Sequence, residues 1–495
     1  MKNKKLYMIL LICISLFTIG QVHKTFENDT FFTIPTGDYI LEHGINEEEP
    51  LTFHEGLKYT KLRWAFDITV SLIYRQFGFD GLYIFTVIMS ILLTGSLYTV
   101  MAKLTNSKIV PFILTLLVAY ACSGYYVCRA QIVSYTFFIW EIYFLLRLTK
   151  TAENRYIIAL AILSYVLLAF HSSVWIVYLV FFIPVIAEWI LSVIISKGFN
   201  IFSEKLMIEK IPIKKVLIAL IIVLLTGLCT PLGLNPYTYS IKSFGSIAGE
   251  LVTELQPLQL VNTPALYVPL ILLILITVFT KSSYKALDLF YFLGGMIMAM
   301  IAERNLYIAL PIMAIAFCNI MNYFLETYQL IKNSNKFEAY LDKYILIDLF
   351  LMILFVVYLI LKYKSISSEE YINKDLYPVE ATNFIKEKLD IDDMRIYTGF
   401  DYGSYLELNG IKVFLDSRTE IYCEEFNQVS ILSDWANIFR GSQQELPSTL
   451  DYAVDKYQLT HILCYASDYF VDYMKDSKEY HEIYSDENFM IFKVE

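Results

Sequence analysis

Gly81-Leu-Tyr-Ile-Phe-Thr-Val-Ile-Met-Ser-Ile-Leu-Leu-Thr-Gly-Ser-Leu-Tyr-Thr-Val-Met-Ala102 runs for twenty-two residues without a charge and stops at Lys103. At about 1.5 Å per helical residue such a stretch spans roughly 33 Å, enough to cross the ~30 Å hydrocarbon core of a bilayer. Stretches of similar character, some shorter, recur at about 5–21, 108–128, 131–148, 155–170, 172–194, 214–230, 266–280, 286–302, 305–325 and 344–362. The pattern predicts an α-helical polytopic membrane protein with about eleven transmembrane helices. Composition agrees: 57% of the residues are hydrophobic and 18% charged, against about 25% charged in a soluble domain. The run Leu6 to Gly20 follows Lys2, Lys4 and Lys5 as a signal peptide would, but no small-x-small site follows, so it reads as a retained first helix.

Loop charges orient the array. One alternate set of loops is basic throughout: the N-terminus, Lys103 with Lys108, Arg147 to Arg155, Lys197 to Lys215, Lys281 with Lys285, and Lys332 to Lys343. The opposite set holds the acidic loop 22–80 and the loop 231–265, where Lys242 is the one lysine. The first set is expected in the cytoplasm, which places the N-terminus inside and the C-terminal segment outside. No basic face accompanies the aromatics, so nucleic acid is not an expected partner. Seven cysteines lack CxxC or metal-ligand spacing, and Cys423 with Cys464 is a pair an external domain would permit.

The chain therefore divides at about residue 363. Residues 1–363 form the membrane domain, with outer loops 22–80 and 231–265, and 364–495 form a soluble extracytoplasmic α/β domain. Within it, helices are predicted from Pro378 to about Leu389, over about 423–439 and over 447–458. Met394–Phe400, Ile411–Asp416, His461–Tyr465 and a hairpin ending at Phe492 read as strands. Asp416 then falls at the C-terminal end of its strand, where α/β sheets place ligands.

Ionisable residues at the edges of membrane helices are costly and point to function. Asp29, Asp67, Arg129, His171 and Arg304 all fall on the predicted outer side. Sugar transfer from a lipid phosphate needs a carboxylate to take a proton from the acceptor hydroxyl, or to hold a metal that does so. It also needs a cation for the departing phosphate. Asp29 and Asp67 suit the first role, Arg129 and Arg304 the second. Plainer roles stand beside these: Asp29 as a helix cap, Asp67 as the i,i+4 partner of Arg63, the arginines as interface anchors.

Together these segments resemble a bacterial family of polytopic proteins related to the GT-C glycosyltransferases. The resemblance rests on Asp29-Thr-Phe-Phe with Gly37 and Ile40-Leu-Glu-His-Gly44, on Arg63-Trp-Ala-Phe-Asp67, on Arg129-Ala-Gln131 and on Phe170-His171. Leu234-Asn-Pro-Tyr237, Thr253-Glu254-Leu-Gln-Pro257, Asp401-Tyr402-Gly403 and Val413-Phe-Leu-Asp416-Ser-Arg418-Thr-Glu-Ile-Tyr422 complete it. It implies a polyprenyl-phosphate-linked sugar donor, a surface glycan acceptor, and a base or metal ligand at Asp29, with Mg or Mn as the possible cofactor. Substrate or phosphate contacts are expected from Arg63, Arg129, Gln131, His171, Glu254, Arg304, Tyr402, Asp416 and Arg418. Two positions depart from the pattern: Thr30 follows Asp29 where many members have a second acid, and Arg63 stands for a histidine. The expected function is glycosyl transfer on the outer face of a bacterial membrane. The alternatives are a non-catalytic glycan-binding or assembly protein, and a lipid or solute transporter with Glu141 as its buried charge.

Overall fold

The computed structural model describes residues 4–197, 205–243, 246, 248–440 and 446–495. Part of the expected outer loop 231–265, residues 244, 245 and 247, lies outside them. The chain forms two compact units. One holds residues 1–23, 83–237 and 253–369; the other holds 24–82, 238–252 and 370–495.

The first unit is helical and apolar. By length and composition, five described helical segments can cross a membrane: Trp64–Leu104, Ala130–Thr151, Asn154–Ser196, Glu303–Thr327 and Leu346–Ser367. The first begins in the other unit. Ile109–Ala121, Pro264–Phe279 and Ala286–Ile301 are shorter apolar helices, and Lys4–Ile19 packs along Ile345–Ser367. Phe350, Ile353, Leu354 and Leu361 of that last helix are exposed, a surface suited to lipid rather than water. Helix hairpins build the unit. Ala130–Thr151 turns back through Ala152, at φ 54°, into Asn154–His171. Ala286–Ile301 turns through the 3-10 segment Glu303–Asn305 into Leu306–Thr327, and a Cβ at Gly295 would lie 2.7 Å from Met313 Cγ. Some buried polar groups of the unit are paired inside it, as an apolar medium favours: Trp175 Nε1 donates to Ser164 Oγ (2.8 Å) and Tyr178 to the carbonyl of Leu160 (2.8 Å).

The second unit combines residues far apart in sequence. Its helix Asn28–His43 crosses the start of Trp64–Leu104 so closely that a Cβ at Gly37 would lie 2.1 Å from the carbonyl oxygen of Asp67. Gly78, at φ 59°, breaks that long helix shortly before the uncharged run that begins at Gly81. The C-terminal segment carries a four-stranded sheet in the order 396–397, 461–465, 489–494, 480–485. The first pair is parallel and the others antiparallel.

Two expectations are corrected. Ile411–Asp416 is not a ladder strand: Val413 makes single bridges, to Thr52 on one side and Ile396 on the other. It is threaded between two short extended pieces rather than paired along its length. The helix expected over 423–439 is split into Glu424–Asn427 and Ile431–Arg440, because Gln428 turns left-handed at φ 57°. Asn427 anchors the break, accepting the N–H of Lys58 (2.9 Å) and donating to the carbonyls of Lys58 (3.0 Å) and Ile421 (2.8 Å). Cys423 and Cys464 are both free and buried.

Candidate active site

The second unit gathers Asp29, Arg63, Asp67, Tyr402, Asp416 and Arg418. Asp29 sits half-buried in the first turn of Asn28–His43, where the helix dipole favours a negative charge. The N-cap position is not Asp29 but Glu27, which makes no side-chain cap bond. Instead Asp29 Oδ1 accepts a hydrogen bond from Ser417 Oγ at 3.1 Å, a residue that sequence reasoning passed over. Thr33 Oγ1 donates to the Asp29 carbonyl (2.7 Å) and accepts from Arg63 Nη2 (3.1 Å).

Asp67 is fully buried, and neither of its oxygens accepts a hydrogen bond among the described residues. Its nearest cation is Arg63, Nε to Oδ1 3.7 Å, one helical turn away. Burial works against the Arg63 charge, but Asp67, Tyr59 and Asp29 outweigh it and raise its pKa. The Arg63 guanidinium also lies 4.5 Å from the Phe32 ring centroid, a cation–π contact that offsets part of the desolvation.

Asp416 and Arg418 belong to a closed ion cluster. The Arg418 side chain is 1% exposed. It donates from Nη1 to Glu49 (2.7 Å), from Nη2 to Glu407 (2.7 Å) and Asp416 Oδ2 (2.5 Å), and from Nε to Asp416 Oδ1 (2.9 Å). The backbone N–H of Arg418 reaches Asp416 Oδ1 at 2.6 Å, and the Tyr422 hydroxyl donates to Asp416 Oδ2. Three carboxylates thus face one guanidinium, and their protonation divides accordingly. Burial would raise Asp416, but Arg418 overrides it and holds the carboxyl below its ordinary range. Burial and then the Asp416 charge push Glu407 well up, although Arg418 opposes; Glu49 is also pushed up, chiefly by burial. Lys61, wholly buried, donates to the Asn46 and Glu48 carbonyls at 2.8 and 2.7 Å, and burial lowers it to about 8. Tyr402 is a core residue: its hydroxyl donates to the Leu463 carbonyl (2.7 Å) and its ring meets Tyr465 and Phe489 edge-on.

The first unit holds the other predicted residues. Arg129 stands at the head of Ala130–Thr151, its Nη1 3.2 Å from Glu254 Oε1. Gln131 follows, with a buried Oε1 that accepts no hydrogen bond among the described residues. The Glu254 segment is held in place by the Glu303 N–H donating to the Gln256 carbonyl (2.9 Å). Arg304, the next residue, is exposed. His171 is buried against Ser134, 2.7 Å from Nδ1 to Oγ. Tyr125 and Tyr307 stack with ring centroids 3.4 Å apart and line a small, mainly apolar cavity with Tyr135, Leu93 and Leu97. Glu141 lies fully buried and neither oxygen accepts a hydrogen bond among the described residues.

A divalent metal at Asp29 finds no ligand set here. Among the described residues no group of three or more His, Cys, Asp or Glu side chains is placed to hold one.

No family model and no curated protein matches the chain. Solved structures do match. The oligosaccharyltransferase AglB of Archaeoglobus fulgidus, in complex with an inhibitory peptide and dolichol-phosphate, is 11% identical with a TM-score of 0.57, covering 93% of this chain and 69% of that one. The Archaeoglobus fulgidus oligosaccharyltransferase in complex with Zn and sulfate is 10% identical, TM-score 0.53, covering 92% and 68%. ArnT of Cupriavidus metallidurans, bound to undecaprenyl phosphate, is 10% identical, TM-score 0.51, covering 98% and 97%. At these identities the likeness is one of fold, which the chain shares with these oligosaccharyltransferase and ArnT structures. The apolar helices and this fold make the chain a membrane protein.

Proposed function

We propose that this chain is a membrane glycosyltransferase that moves a sugar from a polyprenyl-phosphate carrier to a cell-surface glycan. It works on the outer face of a bacterial cytoplasmic membrane, with about eleven spans, the N-terminus inside and the C-terminal domain outside. The observation that carries the reading is Asp29: a half-buried carboxylate at a helix N-terminus, oriented by a hydroxyl donor, in a chain of GT-C fold. Two structures of that fold are described with dolichol-phosphate and undecaprenyl phosphate, which supports a prenyl-phosphate donor. Basic loops on the opposite face support the orientation.

Asp29 acts as general base. It takes the proton of the acceptor hydroxyl while that oxygen bonds to the anomeric carbon, and the bond from that carbon to phosphate breaks with its electron pair going to the phosphate oxygen. Arg129 and Arg304 are the proposed phosphate-binding cations, since guanidinium suits a doubly charged leaving group. Asp67 keeps Arg63 charged beside the helix that carries Asp29.

Purified protein in liposomes, given a radiolabelled undecaprenyl-phosphate sugar and surface polymer isolated from cells lacking the gene, tests the reading. Label transferred to polymer supports it. Polymer binding without transfer would favour a glycan-binding protein, and lipid-carrier or solute movement without transfer would favour a transporter built around Glu141.

A further inference from the structure

We infer that Ser417 is the positioning residue for Asp29, and that the flanking Asp416–Arg418 pair is the clamp that aims it. The inference rests on the reading of Asp29 as the base and names what holds that base in place. Ser417 is half-buried between two neighbours whose side chains are almost wholly buried. Asp416 Oδ1 accepts both the backbone N–H of Arg418 (2.6 Å) and its Nε (2.9 Å), closing an Asx turn around Ser417. Arg418 is fixed at its other nitrogens by Glu49 and Glu407. Its guanidinium also lies 5.0 Å from the Tyr59 ring and 5.2 Å from the Phe32 ring.

The tethers come from three stretches: Glu49 and Tyr59 from the segment after the Asp29 helix, Phe32 from that helix itself, Glu407 from the helix Gly403–Leu408. That helix approaches so closely that a Cβ at Gly403 would lie 2.0 Å from the Leu415 carbonyl oxygen, which explains the glycine of Asp401-Tyr402-Gly403. Ser404 of the same helix brings its hydroxyl within 3.5 Å of Ser417 Oγ. With both neighbours tied inward, the central side chain is directed the other way, and its hydroxyl meets Asp29 Oδ1. A neutral donor on one oxygen fixes the carboxylate plane. The distinctive Val413 to Tyr422 stretch is thus a positioning element for a base nearly four hundred residues earlier.

The test uses the full-length protein in liposomes and two readouts. In the first, Ser417→Ala lowers kcat of sugar transfer about tenfold with KM for the donor unchanged. Ser417→Thr restores kcat, and Ser417→Ala adds nothing to an Asp29→Asn background. The second readout needs no activity: water-soluble carbodiimide labels accessible carboxyls, and mass spectrometry follows the Asp29 peptide. Faster labelling of Asp29 in Ser417→Ala than in wild type supports the assignment, since the hydroxyl no longer holds its oxygen. Equal labelling, or a Ser417→Ala enzyme with wild-type kcat, overturns it. If the wild type labels as expected but transfers no sugar, the positioning stands and the glycosyltransferase reading falls.

Discussion

Replacing Arg418 by methionine keeps an apolar stem and removes the cation in contact with Asp416, Glu407 and Glu49. The wild-type cluster balances because Arg418 holds Asp416 ionised while Glu407 is pushed up. Without the guanidinium, Asp416 retains the Tyr422 hydroxyl and one backbone N–H, while the cluster loses four charge-assisted contacts, two at Asp416 and one each at Glu407 and Glu49. Breaking a buried pair from one side costs about 3–5 kcal/mol, a large share of the ~5–15 kcal/mol of a typical domain. The loss is pH-dependent, and its sign follows from the shifts. In the wild type the lowered Asp416 contributes stability that is present above its unfolded value, ~3.9, and is lost as pH falls through the folded value. In the variant the stranded carboxylates are raised, so stability is fullest below ~4 and falls as pH rises. The deficit between the two proteins therefore widens from pH 4 to pH 8. Hydrogen exchange on detergent-solubilised full-length protein, reading peptides over 46–60 and 400–425, measures it. Adding Asp416→Asn and Glu407→Gln to Arg418→Met recovers most of the protection at pH 8. Protection equal to wild type at pH 8, or a deficit that does not change with pH, would refute the cluster as the organiser of this region.

Other outcomes follow from single contacts. Gly37→Ala places a methyl 2.1 Å from the Asp67 carbonyl oxygen and is expected to lower thermal stability by about 1–3 kcal/mol or more, read from the melting temperature. Burial lowers His54 to about 4 while its Nε2–H donates to the Phe414 carbonyl (2.8 Å). Its contribution, about 2 kcal/mol after discounting for partial exposure, is present above its unfolded value of ~6.5 and lost as pH falls toward 4. His54→Gln should flatten stability between pH 6.5 and 4 in an acid titration of melting temperature. Arg129→Gln should lower kcat/KM for the lipid-phosphate donor about 10²-fold, whereas Glu254→Gln, which removes a partner 42% exposed at its side chain, should change it no more than a few-fold in the same assay.

Most of the apolar helices are legible because apolar length and a spanning requirement leave few alternatives. Asp29 is legible as a candidate because a carboxylate close to a long apolar run is costly. Ser417 is not, because a serine hydroxyl is commonplace and its partner lies 388 residues away. The Asp416 to Tyr422 motif announces itself, yet the expected substrate contacts of Asp416 and Arg418 meet side chains closed inside an ion cluster, since only tertiary structure brings Glu49 and Glu407 to the guanidinium. The strand expected at Ile411–Asp416 fails for a related reason. Its apolar, β-branched character fits a sheet, but its neighbours, 51–52 and 396–398, are too short to pair along it. The split of the 423–439 helix turns on Gln428 adopting a left-handed conformation, a choice stabilised by Asn427 bridging back to Lys58.

The measurement closest to the central claim is sugar transfer by Asp29→Asn in liposomes loaded with the undecaprenyl-phosphate sugar. Asparagine preserves the side chain's shape and a carbonyl oxygen for Ser417, so melting temperature and donor binding should stay at wild-type values while transfer falls by at least about 10²-fold. Transfer at the wild-type rate by a folded, donor-binding Asp29→Asn protein would contradict Asp29 as the base.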